Sequence, residues 1–276
     1  MADPEREAPD LGRLLRTVAH LRPAQIAHRI RLRARRAVWE RTAPRVDARY
    51  RARARALPVL PFDHPGLARL AALRVARTEP DARRRVAEDA LAGRFSFLNR
   101  SEALGSPVAW HREDLQRGTR LWKTYLHEFP YAVELAQAHR ETGEDRFREG
   151  FFGLVESWQR ACPIGQRGFA LDAWNARAVV SRMLNWSVAG SLLGLRPGER
   201  EADGLSRGIA LHAVYLRDNL EWDLLGNHLL RDAVGLVFAN ELLGVCPDAL
   251  RRLRVQVDEQ VLADGCHVER SPLYHA

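Results

Sequence analysis

From about residue 118 onward the apolar residues recur at three- and four-residue intervals, and this periodicity limits the fold more than any other feature of the chain. Trp122, Tyr125, Leu126, Phe129, Val133 and Ala136 form one series, and Phe147, Phe151, Leu154, Val155 and Trp158 form the next. Further stripes run through Val180, Met183, Leu184 and Val188, through Leu205, Ile209, Ala213 and Leu216, through Leu230, Ala233, Val234, Val237 and Phe238, and through Leu250, Leu253, Val257 and Val261. Turn signals separate them, at Glu141 to Gly143, Arg196 to Gly198 and Val245 to Pro247. Pro130 interrupts the first stripe, so that helix kinks or restarts there. Each segment has one apolar face to bury and strand signals are scarce, so the body is all-α. Six or more stacked helices make either a solenoid or a closed toroid of helical hairpins, and periodicity alone does not choose between them.

The first 117 residues read differently. Three prolines in residues 57–66 mark a linker, residues 67–92 read as one more charged helix, and Phe95, Phe97 and Leu98 as a short strand. The chain therefore divides into an arginine-rich helical extension (1–60), a linker, helix and short extended segment (61–117), and the helical domain (118–276). Residues 1–60 carry 15 Arg against six acids, whereas the remainder carries 28 basic against 29 acidic residues, so the net charge of +8 sits in the front. Eleven arginines from Arg29 to Arg55 alternate with small and apolar residues, a helix-compatible stretch with little apolar content. Such a segment either attracts a polyanion or is solvated or packed on a partner. Lys123 is the only lysine, so the choice of arginine also reflects a general bias. Tyr50 is the only aromatic residue between Trp39 and Phe62, which leaves no stacking platform for nucleic acid. With a linker behind it, residues 1–60 should be removable without unfolding the helical body.

Several function classes are excluded. A chain of 276 residues with 46% apolar content buries a sizeable core, and no apolar run reaches the roughly 20 residues of a membrane span. Acids and prolines occupy residues 1–15 where a secretory signal would place a basic patch and an apolar stretch, so a cytoplasmic location is expected. Cys162, Cys246 and Cys266 are odd in number and lack a C-x-x-C spacing, which reads as free thiols. No metal is expected, since His267 and Glu269 are two apart and H-E-x-x-H is absent. No glycine-rich phosphate loop or G-x-S-x-G elbow is present, so no cofactor is expected either.

Three polar clusters fall at helix ends. They are Trp174, Asn175, Arg177, Ser181, Arg182, Asn185 and Trp186; then Asn219, Glu221, Trp222, Gly226, Asn227 and His228; then residues 264–275, which include His267, Glu269, Arg270, Tyr274 and His275. Taken singly, each has a structural reading: Asn227 as a helix cap, Glu269 and Arg270 as a surface pair, Tyr274 as a packing residue. Taken together, tryptophan faces suit sugar rings and arginines suit uronate carboxylates, so the mixture fits an anionic carbohydrate.

The ordered series Phe95 to Asn99, Trp110, Leu121 and Trp122 with Leu126 and His127, Trp158, Val180 to Arg182 with Asn185 and Trp186, Asn219 to Glu221, Gly226 to His228, and Asp264 to His275 resembles the heparinase II/III-like polysaccharide lyases over about residues 95–276. The resemblance implies an incomplete (α/α) toroid, here with a basic N-terminal helical segment, and a following β-sandwich domain as its partner in forming the substrate cleft. That sandwich is not in the sequence, which stops after the Tyr274-His275 motif. A sandwich covering that side also implies an exposed apolar patch around residues 262–276. The implied reaction is β-elimination on an acidic polysaccharide containing uronic acid. Asn227, with His228 beside it, would neutralise the uronate carboxylate, and Tyr274 would serve as base and then acid. Arg182 would clamp the carboxylate, Trp186 and Trp222 would contact sugar, and His267, Glu269 and His275 would complete the substrate-binding set. A non-catalytic module that binds or helps assemble anionic carbohydrate is the alternative from another class.

Overall fold

The computed structural model describes residues 23–76, 78–112, 115 and 120–268. Among them are eleven helices and one β-hairpin: α1 (Pro23–Arg41), α2 (Ala43–Arg55), α3 (Pro65–Ala76), α4 (Pro80–Leu91), β1 (Arg94–Phe97), β2 (Arg100–Ala103), α5 (Arg120–Glu128), α6 (Tyr131–Thr142), α7 (Asp145–Ala161), α8 (Ala176–Leu192), α9 (Arg200–Asp218), α10 (Gly226–Leu243) and α11 (Ala249–Gln260). The chain is an all-α, toroid-like array in which successive helices pack as antiparallel hairpins, α6 on α7, α8 on α9 and α10 on α11. Helix α8 lies at its middle, against α3, α5, α6, α9 and α10, and is buried on nearly every side.

The local breaks have local causes. Phe129, at φ 58°, turns the chain between α5 and α6, and Pro130, which has no N–H to donate, stands at the restart. The segment 67–92 is two helices rather than one, because Pro80 opens α4 from an extended Glu79. The strand at Phe95 and Phe97 gains a partner that its own sequence did not announce: Leu98 and Asn99, both at positive φ, make a two-residue turn that pairs β1 antiparallel with β2.

The basic front is a larger departure. Gln25, Leu32, Trp39 and Val46 recur every seven residues and are buried, as is Tyr50. Trp39, Val46, Tyr50 and Ala54 join the same core as the rest of the chain, with α2 packed along α9. The linker is also inside: Leu60 and Phe62 are buried, the Leu60 N–H donates to Ser206 Oγ at 2.8 Å, and Phe62 fills the space that a side chain at Gly190 would need. The described part of residues 1–60 is thus an integral part of the fold. Removing it would take Trp39 and Tyr50 out of the core, each worth about 3–5 kcal/mol when truncated there, and would uncover their partners Phe169 and Tyr215.

At the centre of the core Arg182 is surrounded by rings. Its guanidinium lies 3.8 Å from the centroid of Trp158, with Trp174 and Trp186 also within reach. Nε donates to His212 Nε2 at 2.8 Å, Nη2 donates to the Ala173 carbonyl at 2.9 Å, and Nη1 donates to the His127 carbonyl. No carboxylate touches it among the described residues, and burial pushes its pKa down to about 9. His127 and His212 are pushed far down by the same burial and by Arg182 itself, so both are neutral. Cys162, Cys246 and Cys266 are free thiols, and burial raises Cys162 to about 12.

Candidate active site

The hairpin order brings three loops to one end of the toroid: 162–175 after α7, 219–225 after α9, and 261–268 after α11. Helix α1 crosses this rim. At one end His28 stacks on Trp222 with centroids 6.1 Å apart, and Gln25 and Arg29 donate to the Asp223 carbonyl. In the middle Arg35 donates to the Asp218 carbonyl at 3.1 Å and to Asn219 Oδ1 at 2.5 Å. At the other end Trp39 stacks on Phe169, and Glu40 Oε1 accepts from the Gly168 N–H at 2.9 Å. Helix α2 adds Arg53 and Tyr50, which bond to the Asp218 carboxylate at 2.6 and 3.1 Å. Burial alone would raise Asp218, but the Arg53 pair and the Tyr50 hydroxyl outweigh it and hold the carboxyl below its ordinary range.

Asn227 and His228 stand in the first turn of α10, at the positive end of that helix. The chain reaches them through Leu225 at φ 60° and ψ −158° and Gly226 at φ 57°. Gly226 adopts this conformation freely. Leu225 does so at a cost of order 1–3 kcal/mol, and strain of that kind concentrates where a side chain must be aimed. The His228 ring is held from below, its Nδ1 lying 3.0 Å from Glu221 Oε2. The Glu221 N–H in turn donates to Asp232 Oδ2 at 2.7 Å. Asp232 is fully buried, and burial together with the nearby Glu221 charge pushes its carboxyl well above the ordinary carboxylate range. Trp222 lines a cleft of about 450 Å³ beside this turn, shared with His28, Leu225 and Gln260.

The structure brings Asn227, His228 and Trp222 together on the rim. Three of the assigned residues lie away from the rim surface. Arg182 and Trp186 have no exposed surface, because they lie two and three turns into α8, on a helix enclosed by its neighbours, and neither reaches a ligand as a clamp or a sugar platform. His267 is buried in the turn after α11, with Nε2 2.9 Å from Gln260 Oε1, and therefore supports that turn from within. Tyr274, Glu269 and His275 lie outside the described residues. Val257, Val261 and Val268 are exposed, an apolar strip on the side where the resemblance implies a covering domain.

Sequence reasoning missed Asp232 and gave Glu221 no role of its own, although the seven-residue spacing from Glu221 to His228 spans one loop and was open to reading. It also missed a second cleft on the same rim, of about 500 Å³, lined by Lys123, His111, Arg167, Asp172 and Trp174. Asn175 proves to be the helix cap of the first cluster, its Oδ1 accepting from the Arg177 N–H at 3.0 Å.

With the rim described, its relatives can be identified. The Heparinase II/III N-terminus family matches residues 48–276. The chain belongs to this family. Among solved structures it is similar to heparan sulfate lyase HepC from Pedobacter heparinus, with 19% identity and a TM-score of 0.58, covering 84% of this chain and 37% of that one. It is also similar to heparinase III, with 17% identity and a TM-score of 0.62 over 82% of this chain and 36% of that one. The heparinase III BT4657 gene product aligns with 18% identity and a TM-score of 0.57 over 79% and 42%. These likenesses are in fold, and the chain spans little more than a third of the first two. No curated protein matches it in sequence. The heparinase II/III match begins within α2, so α1 lies wholly before it. Among the described residues no helix is long and apolar enough to cross a membrane.

Proposed function

We propose that this chain is the toroid part of a polysaccharide lyase that cleaves a uronic-acid-containing acidic polysaccharide by β-elimination, in company with a β-sandwich domain. The observation that carries the reading is the presentation of Asn227 and His228 at the start of α10, behind a strained Leu225 and above a buried Glu221–Asp232 pair, within the family-matched region. The proton at C5 of a uronate is weakly acidic, and its removal places negative charge on the neighbouring carboxylate. The Asn227 amide and the helix terminus donate to that carboxylate as the charge grows. Glu221 fixes the His228 ring by accepting from Nδ1–H, which leaves Nε2 as the ring's acceptor. Tyr274, by family resemblance, takes the C5 proton; the electron pair forms the C4–C5 double bond, the C4–O bond breaks, and the departing oxygen receives a proton.

The test uses the chain joined to its sandwich domain, with new ultraviolet absorption from the unsaturated uronate as the signal. Asn227→Ala should lower kcat by about 10²–10³, as for loss of one oxyanion donor. Tyr274→Phe should lower it by about 10²–10⁴ with little change in KM. Full elimination activity in either variant would overturn the assignment. Binding of the polymer with no absorption change in the joined protein would favour the non-catalytic carbohydrate-binding module, a reading that the two rim clefts also support.

A further inference from the structure

The second rim cleft contains the only lysine of a chain that otherwise uses arginine for every cation except histidine. Lys123 lies on α5 and is 5% exposed, yet among the described residues the only carboxylate near its ammonium group is Asp172, at 3.7 Å, which is too long for a good charge-assisted hydrogen bond. A buried ammonium is costly to keep without close partners. Gln166 Oε1, on the loop lining the same cleft, is shielded and has no hydrogen-bond partner among the described residues. Arg167 stands exposed at the edge, and His111 is oriented by its Nε2, 2.8 Å from the Ala161 carbonyl.

Within the lyase reading, we propose that this cleft is a second saccharide-binding subsite, in which Lys123 and Arg167 hold the carboxylate of an acidic sugar while Asp172 and Gln166 accept from its hydroxyls. A cleft of one charge would suit an inorganic anion. The mixture of two cations with a carboxylate and an amide oxygen suits a ligand that carries an acid group and hydroxyls together.

The experiment titrates the chain with a uronate oligosaccharide and with the same oligosaccharide after reduction of its carboxyl groups, following heat by calorimetry. The unmodified chain should prefer the carboxylated form by on the order of 10-fold or more, the range for a charged hydrogen bond. Lys123→Met should lower that preference several-fold, and Lys123→Arg should restore only part of it. Arg167→Ala, at an exposed position that does not endanger folding, should reduce the preference several-fold. A Lys123→Met chain that melts normally and keeps the full preference would overturn the proposal, as would a lack of preference in the unmodified chain. If Lys123→Met unfolds, an unchanged preference in Arg167→Ala overturns it. Elimination in the joined protein is measured separately with Asn227→Ala, so a failed lyase assignment and a failed subsite give different results.

Discussion

The two ends of the toroid are built to different standards. At the far end two connections close on themselves: Gly143 and Glu144 alone join α6 to α7, with the Gly143 N–H donating to the His139 carbonyl at 2.7 Å. The turn after α10 is closed in the same way, the Cys246 N–H donating to Asn240 Oδ1 and its thiol to Asp248. At the rim Leu225 is strained, an acid is buried, and two clefts open. Helix ends that only need to be closed are closed locally, whereas those that aim side chains carry cost supported by the packing beneath them.

The same substitution at both ends should separate these roles most sharply. Gly226→Ala and Gly143→Ala each place a side chain at positive φ, and each should destabilise the fold by about 1–2 kcal/mol, seen as a lower Tm. Only Gly226→Ala should also lower elimination activity in the joined protein, by at least 10-fold, because it moves Asn227. Equal activity in the two variants would remove the distinction between the ends.

Two aspartates give the next contrast. Asp232 at the rim is raised by burial, so the folded state holds a proton that the unfolded chain loses above about pH 4; its contribution to stability falls as pH rises, by up to about 1.4 kcal/mol per pH unit. Asp248 at the far end is held down to about 2 by hydrogen bonds from Cys246 and Arg252. Its contribution is present above about pH 4 and is lost as pH falls toward 2. Denaturant titrations across pH should show Asp232→Asn flattening the decline above pH 4 and Asp248→Asn flattening the loss below it. The smallest expected effect is Asn175→Ala, which removes the cap of α8 and should cost about 1 kcal/mol in thermal unfolding.

Much of this was legible in the sequence where helical periodicity spoke directly. The stripes from Trp122 to Val261 became α5 to α11, and the turn signals at Gly143 and Pro247 fall between helices. The place of Asn227 and His228 at a helix start was legible because a polar pair beside Gly226 is visible in one dimension. Arg182 misled because a charged side chain reads as surface, and only the enclosure of α8 shows that rings and carbonyls solvate it instead. The basic front misled for the opposite reason: eleven arginines concealed the seven-residue spacing of Leu32, Trp39 and Val46, which was enough to bury one face. Lys123 was noticed only as a count, since its cleft is made by a loop about fifty residues away.

Helix α1 also acts as a ruler. It touches the first cleft through His28 and the wall of the second through Trp39, eleven residues later, a span of about 16 Å along a helix axis. A rod of backbone hydrogen bonds maintains that interval, whereas loops alone would let it drift. A ligand that fills both clefts must therefore be long enough to span that interval, and a smaller one would gain from one cleft at a time.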